Sequence, residues 1–131
     1  MIVDSSAIMA IVLEEDGGHG FAAAMATSPT PLRLSAGNWI ELAAVLTRTT
    51  DGSPWDIAEQ LIEQTKVSIE PVTVEQAVMA REAYRRYGRG TGHPAGLNFG
   101  DCFAYALAKA TGEPLLFKGD DFARTDITPA L

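Results

Sequence analysis

The chain has 131 residues, 47% apolar and 21% charged, the composition of a folded globular domain rather than a disordered one. Its formal net charge of −7 opposes non-specific nucleic-acid binding through a broad basic surface. No apolar run approaches the roughly 18 residues of a membrane span, and a single cysteine, Cys102, excludes an internal disulfide. The length predicts one domain over residues 1–131 with an adequate core. The start Met1-Ile2-Val3-Asp4 lacks the basic n-region of a signal peptide, so the expected location is the reducing cytoplasm, away from membranes.

Taken in order, Met1-Ile2-Val3 is a short apolar strand, and Asp4-Ser5-Ser6 is a turn and cap. Residues 7–15 read as a helix with Ile8, Ile11 and Val12 on one face, and Asp16-Gly17-Gly18 breaks it. Residues 20–27 are Ala-rich and helical; Pro29 and Pro31 follow, and Leu32-Arg33-Leu34-Ser35 is the second strand. Residues 38–49 form a helix predicted to turn Ile40, Ala43, Ala44 and Leu46 inward, with Glu41 near its start. A loop over 51–54 leads to a helix at 55–65, with Ser53 as cap and Pro54 in the first turn.

Val67-Ser68-Ile69 is the third strand. Thr73 caps a long helix over 74–87, and Gln76 completes a capping box. Residues 88–96 are a glycine-rich loop. A nearly all-apolar helix over 102–111 follows Asp101 and reads as buried, and Leu115-Leu116-Phe117 is the last strand, ending near Asp120-Asp121. Strands alternating with helices predict an α/β domain with a central parallel sheet and helices on both faces.

In such sheets, sites form beyond the carboxyl ends of the strands. Asp4 follows the first strand and Asp120 and Asp121 the last, while Asp101 and Glu41 lie at the starts of helices. These acids can meet at one sheet edge, although any of the aspartates can also serve simply as a helix cap. Clustered carboxylates repel, and a hard divalent cation relieves that repulsion; an all-oxygen set suits Mg²⁺ or Mn²⁺. The matching chemistry is metal-assisted phosphodiester hydrolysis.

The stretches Ile2-Val3-Asp4-Ser5-Ser6-Ala7, His93-Pro94-Ala95-Gly96-Leu97-Asn98-Phe99-Gly100-Asp101-Cys102-Phe103-Ala104-Tyr105-Ala106-Leu107-Ala108 and Leu115-Leu116-Phe117-Lys118-Gly119-Asp120-Asp121-Phe122 carry a resemblance. In order and spacing, over nearly the whole chain, they resemble the PIN-domain ribonucleases, above all the VapC toxins of bacterial toxin–antitoxin pairs. The resemblance implies a Mg²⁺- or Mn²⁺-dependent endoribonuclease acting on RNA, restrained by a cognate antitoxin protein and assembled as a homodimer. It places the four pocket acids at Asp4, Glu41, Asp101 and one of Asp120 or Asp121. Asp121 is favoured because relatives commonly keep an acid directly before this Phe. Ser6 resembles the family's hydroxyl residue that hydrogen-bonds the first acid. Gly119 departs from the pattern, since many relatives have an acid there.

Arg81 and Arg85 share a helix face, and Arg86 and Arg89 are close in sequence. With Lys118 beside the acidic pair, Arg81, Arg85 and Arg89 are candidates for RNA phosphate contacts; the alternative is a solvated face paired with acids such as Glu82. Gly90-x-Gly92-x-x-Ala95 follows a helix rather than a strand, which rejects a dinucleotide fingerprint. His19 and His93 lack ligand spacing, His93 reads as a loop-fixing residue, and Cys102 as a small buried apolar one. Two other readings remain open from the residues alone. One is a phosphatase or receiver-like domain, although Ser6 stands where a phosphatase needs its second Asp and Lys118 only loosely matches a receiver. The other is a non-catalytic PIN-like binding partner.

Overall fold

Apolar segments of two or three residues can be stable strands only if both their faces are covered, and the architecture meets that condition. A computed structural model describes residues 1–48 and 53–131. Its elements are β1 (Ile2–Val3), α1 (Ser5–Val12), α2 (Gly18–Ala26), β2 (Arg33–Ser35), α3 (Ala36–Arg48), α4 (Ser53–Gln64), β3 (Ser68–Glu70), α5 (Val74–Tyr87), α6 (Asp101–Thr111) and β4 (Leu115–Leu116). A 3₁₀ turn, Phe122–Arg124, follows β4. The four strands form one parallel sheet in the order β3-β2-β1-β4. Ile2 aligns with Arg33 on one side and Leu115 on the other, so β1 is central.

Side chains alternate across a strand, and the two faces of this sheet carry separate cores. Val3, Leu34 and Leu116 point into a core built with Ile8, Leu42, Leu46 and Ala58 from α1, α3 and α4. Ile2 and Leu115 point the other way, into a core with Tyr87 of α5, Leu97, and Ala104, Tyr105 and Leu107 of α6. Trp39 and Trp55 meet edge to face at 5.7 Å and join α3 to α4. The expected α/β class, parallel sheet and two covered faces are present.

Several local expectations shift. Helix α1 stops at Val12, and Glu14 takes a positive φ of 53°, so residues 13–15 leave the helix. Helix α3 begins at Ala36, directly after β2, because Ser35 Oγ accepts from the Gly37 amide at 3.3 Å. Its buried stripe is Asn38, Leu42 and Leu46; Ile40 is 63% exposed and Ala44 is also exposed, against the inward placement predicted for them. Thr73 caps α5 as expected, accepting from the Gln76 amide at 3.1 Å. Thr49 and the first half of the loop expected at 51–54 lie outside the described residues. The loop at 88–96 is closed at its base by Leu97, whose amide donates to the Tyr87 carbonyl at 2.9 Å and whose carbonyl accepts from Arg89 at 2.8 Å. Within it His93 Nδ1 accepts from the Ala95 amide at 3.1 Å while the ring meets Tyr87, which is the loop-fixing role.

Leu34 lies in β2 at 0% exposure, in the core beneath α1 and α3. Leu34→Ala removes buried methyl groups where the neighbours cannot collapse, and denaturant unfolding should show a loss of about 2–5 kcal/mol.

Candidate active site

Strand β1 delivers Asp4 to the carboxyl edge of the sheet. The Asp4 amide donates to the Leu116 carbonyl at 2.9 Å, the last rung between β1 and β4. Its side chain caps α1: Oδ2 accepts from the Ser6 amide at 3.0 Å and from Ser6 Oγ at 2.5 Å. Ser6 Oγ in turn accepts from the Lys118 amide at 3.0 Å, so one hydroxyl ties the end of β1 to the chain leaving β4. Asp4 Oδ1 is buried and has no hydrogen-bond partner. Capping and site geometry therefore coexist in this residue, one on each carboxylate oxygen.

Asp101 is held by a reciprocal box at the start of α6. Its amide donates to Asn98 Oδ1 at 2.9 Å, and the Asn98 amide donates to Asp101 Oδ2 at 2.7 Å. Asn98 is thus the capping residue, and Asp101 sits three residues on. Glu41 projects from α3, and its Oε2 accepts from Ser5 Oγ at 2.8 Å and from Asn38 Nδ2 at 3.2 Å. Ser5, Asn38 and Asn98 were not singled out by the sequence. The available signal was three small polar residues at helix starts, a signal shared with every ordinary cap.

After β4, Gly119 takes a φ of +100°, which turns the chain at the sheet edge. Asp121 precedes the 3₁₀ turn with helical dihedrals (φ −61°, ψ −52°) and makes no side-chain cap there. Neither Asp120 nor Asp121 therefore plays the plain capping role open to any of the aspartates, because capping needs an extended residue whose side chain reaches forward. Both acids are exposed.

Electrostatics tie the acids together. Burial pushes the Asp4 carboxyl up to about 6 despite its bonds to Ser6, and the charge of Glu41 adds to the rise. Burial pushes the Asp101 carboxyl up to about 7, and the charges of Asp4, Asp121 and Glu41 each raise it further. Asp121 is thus the member of the acidic pair whose charge reaches Asp101. Among the described residues, no three His, Cys, Asp or Glu side chains stand close enough to hold a metal ion. The carboxylates face one region without closing on a common point. The donor set nevertheless suits a hard cation: it is all oxygen, mutually repulsive, and includes the orphaned buried Asp4 Oδ1.

Glu41 and Gly100 also border an apolar groove of about 360 Å³ with Ile40, Ala44, Phe99 and Phe103. Phe99 is 76% exposed and meets Phe103 edge to face at 5.0 Å. These two rings separate that groove from a second one lined by Ala80, Arg81 and Tyr84 of α5. The basic residues divide by partner. Arg85 pairs with Glu82 at 2.6 Å, the solvated-face alternative for that residue, and Lys118 Nζ pairs with Glu15 at 2.7 Å. Arg86 lies over the Tyr87 ring, while Arg81 and Arg89 make no ion pair among the described residues. Burial, with the Asp101 charge, pushes the Cys102 thiol up to about 11, which makes it a poor nucleophile.

The raised carboxyls give the protein a defined pH response. Asp4 and Asp101 hold their protons more tightly folded than unfolded, where both have a value of 3.8. Their penalty on stability is therefore absent below that value, grows as pH rises and is complete above about 7. In metal-free protein, Asp101→Asn keeps the acceptor for Asn98 and should raise Tm at pH 7.5, with the gain shrinking toward zero near pH 4. Melting curves across that range check both.

The PIN domain family matches residues 1–127. Ribonuclease VapC42 of Mycobacterium tuberculosis is 49% identical over 130 residues, covering 99% of this chain and 98% of the relative. Ribonuclease VapC28 of the same organism is 49% identical over 131 residues, covering 100% and 98%. The crystal structure of M. tuberculosis VapC20, a Sarcin-Ricin loop cleaving toxin, superposes with a TM-score of 0.77 at 22% identity, covering 97% of this chain and 95% of that one, and so shares the fold. Matched end to end by sequence and by architecture, the chain belongs to the PIN-domain family, among its VapC members.

Proposed function

We propose that this protein is a metal-dependent endoribonuclease, the toxin of a two-component toxin–antitoxin pair. The observation that carries the reading is geometric: Asp4 lies buried at the carboxyl end of β1, and Ser5 and Asn38 hold Glu41 beside it and beside the turn that carries Asp101. Relatives across the full chain are named as VapC ribonucleases, which supports the same activity here.

Asp4 and Asp101 would hold Mg²⁺ or Mn²⁺ directly, with Glu41 and Asp121 completing the set. Such an ion, when bound, supplies positive charge that acidifies water and offsets the charge developing on phosphoryl oxygens. The protein supplies orientation. Ser6 fixes one oxygen of Asp4 and Asn98 one oxygen of Asp101, which leaves the other oxygen of each for the site. Ser5 and Asn38 fix one oxygen of Glu41, and the other has no hydrogen-bond partner among the described residues. Water adds to phosphorus, the bond to the leaving sugar oxygen breaks, and no protein nucleophile takes part. Arg81 and Arg89 can meet RNA phosphates directly, whereas Arg85 and Lys118 must first exchange Glu82 and Glu15 for phosphate.

A phosphatase built on Asp4 is disfavoured, because Ser6 is committed to hydrogen-bonding that carboxylate. The partner in this reading is a cognate antitoxin. An apolar segment suits the groove at Ile40, Phe99 and Phe103, and a basic side chain suits the acids beside it. The net charge of −7 speeds association with a basic inhibitor. Homodimerisation belongs to the same proposal, as does action in the cytoplasm; among the described residues no helix is long and apolar enough to cross a membrane.

Purified protein should cleave RNA with Mg²⁺ or Mn²⁺ and stop in excess EDTA; undiminished cleavage in chelator would exclude the metal mechanism. Asp4→Asn and Asp101→Asn should each lower cleavage by at least about 100-fold, the scale of losing one preorganised electrostatic group, and relieve growth inhibition while the fold persists. Near-normal cleavage by both would reduce these acids to structural roles. Asp121→Asn should lower cleavage and Mn²⁺ affinity, and Asp120→Asn should change neither. The reverse result would move the fourth position to Asp120.

A further inference from the structure

Asn38 is polar and fully buried, at 0% exposure, on the core-facing stripe of α3. Its Nδ2 donates to Glu41 Oε2 at 3.2 Å and to the Gly100 carbonyl at 3.0 Å. Both partners are acceptors, so the amide orientation is fixed: flipped, it would set an oxygen against two oxygens. Oδ1 is buried with no hydrogen-bond partner. An orphaned buried acceptor is destabilising, and an apolar side chain of similar size would pack there without one. Stability alone therefore does not account for an amide at this position.

The geometry around Glu41 does. Ser5 and Asn38 both donate to Oε2 and leave Oε1 without a partner among the described residues. Gly100 forms the third wall. Its dihedrals are ordinary helical ones (φ −63°, ψ −42°), open to any residue, yet a Cβ there would overlap the Glu41 carboxylate. The Gly100 carbonyl that Asn38 holds belongs to the turn carrying Asp101, so one amide fixes Glu41 relative to Asp101.

We propose that Asn38 is a positioning residue: with Ser5 and Gly100 it holds the Glu41 carboxylate against the turn that carries Asp101, the orientation in which this acid contributes to cation binding. This rests on the reading of Glu41 as a pocket acid given above. The test is Mn²⁺ binding, followed by calorimetry on the whole chain at pH 7.5, with Mn²⁺ alone as probe. Asn38→Ala should weaken Mn²⁺ by about tenfold, the usual scale for a group that orients a ligand, and Ser5→Ala by a smaller factor. In a Glu41→Ala background neither change should have a further effect. Wild-type affinity in Asn38→Ala, or the same weakening in both backgrounds, would overturn the proposal, since a structural role does not depend on Glu41.

If circular dichroism shows Asn38→Ala unfolded, Gly100→Ala decides. Alanine suits its helical backbone, so any loss arises at the carboxylate. It should weaken Mn²⁺ when Glu41 is present and be silent in Glu41→Ala; unchanged affinity with Glu41 present would overturn the proposal. Wild-type protein that binds Mn²⁺ but leaves RNA intact would remove the ribonuclease reading and leave this inference standing. Wild-type protein that binds no Mn²⁺ would remove both.

Discussion

Removing carboxylates from water and bringing them together is unfavourable, and much of this structure offsets that penalty. For Asp4, fully buried, the rise from 3.8 to about 6 corresponds to roughly 3 kcal/mol, a sizeable part of a small domain's stability. The surrounding donors are placed to limit it. Ser6, Asn98, Ser5 and Asn38 each bond a pocket acid, and in Asp4, Asp101 and Glu41 the bonds fall on a single oxygen. Hydrogen bonds of this kind hold a group in one orientation more than they stabilise the fold, because the paired oxygen was already well solvated in water. The net result is a site that is rigid, under-neutralised and receptive to positive charge.

That arrangement needs a scaffold that does not yield, and the sheet by itself is too short to provide one. Strands β1 and β4 contain two residues each. Rigidity comes from the two cores, which clamp Val3 and Leu116 on one face and Ile2 and Leu115 on the other. Close packing transmits displacement, so a shift of α3 or α6 moves Glu41 or Asp101 with it.

The alternation of short apolar runs with helices was legible in the sequence, as was the placement of Asp4 at the end of β1, because period and position report on topology directly; Asp121 instead lies beyond β4, after the turn at Gly119. The capping box predicted for Thr73 and Gln76 forms only by half: Thr73 Oγ1 accepts from the Gln76 amide, and the Gln76 side chain makes no return bond to the Thr73 amide among the described residues. The orientation of α3 was not. Ile40 and Leu42 are both apolar and two residues apart, so they cannot share a helix face, and composition favoured the wrong one. The deciding residue is Asn38, which turns inward despite its polarity because Glu41 and Gly100 give it acceptors there. Asn98 was missed for a related reason: its role is a pairing with Asp101, and a pairing is visible only once the turn is folded.

Strand order has a consequence for how the molecule comes into being. The first strand made is central, and its outer neighbour, β4, is the last strand made. The proposed site draws on positions 4, 41, 101 and 121, almost the full extent of the chain. During synthesis β1 can pair early with β2, but its other edge stays open until residues 115–116 arrive, and Lys118 must follow before Ser6 is locked. A chain stopped before β4 therefore carries much of the hydrophobic core but lacks the last strand and Asp121. In this topology the proposed site is also the last part of the molecule to be completed.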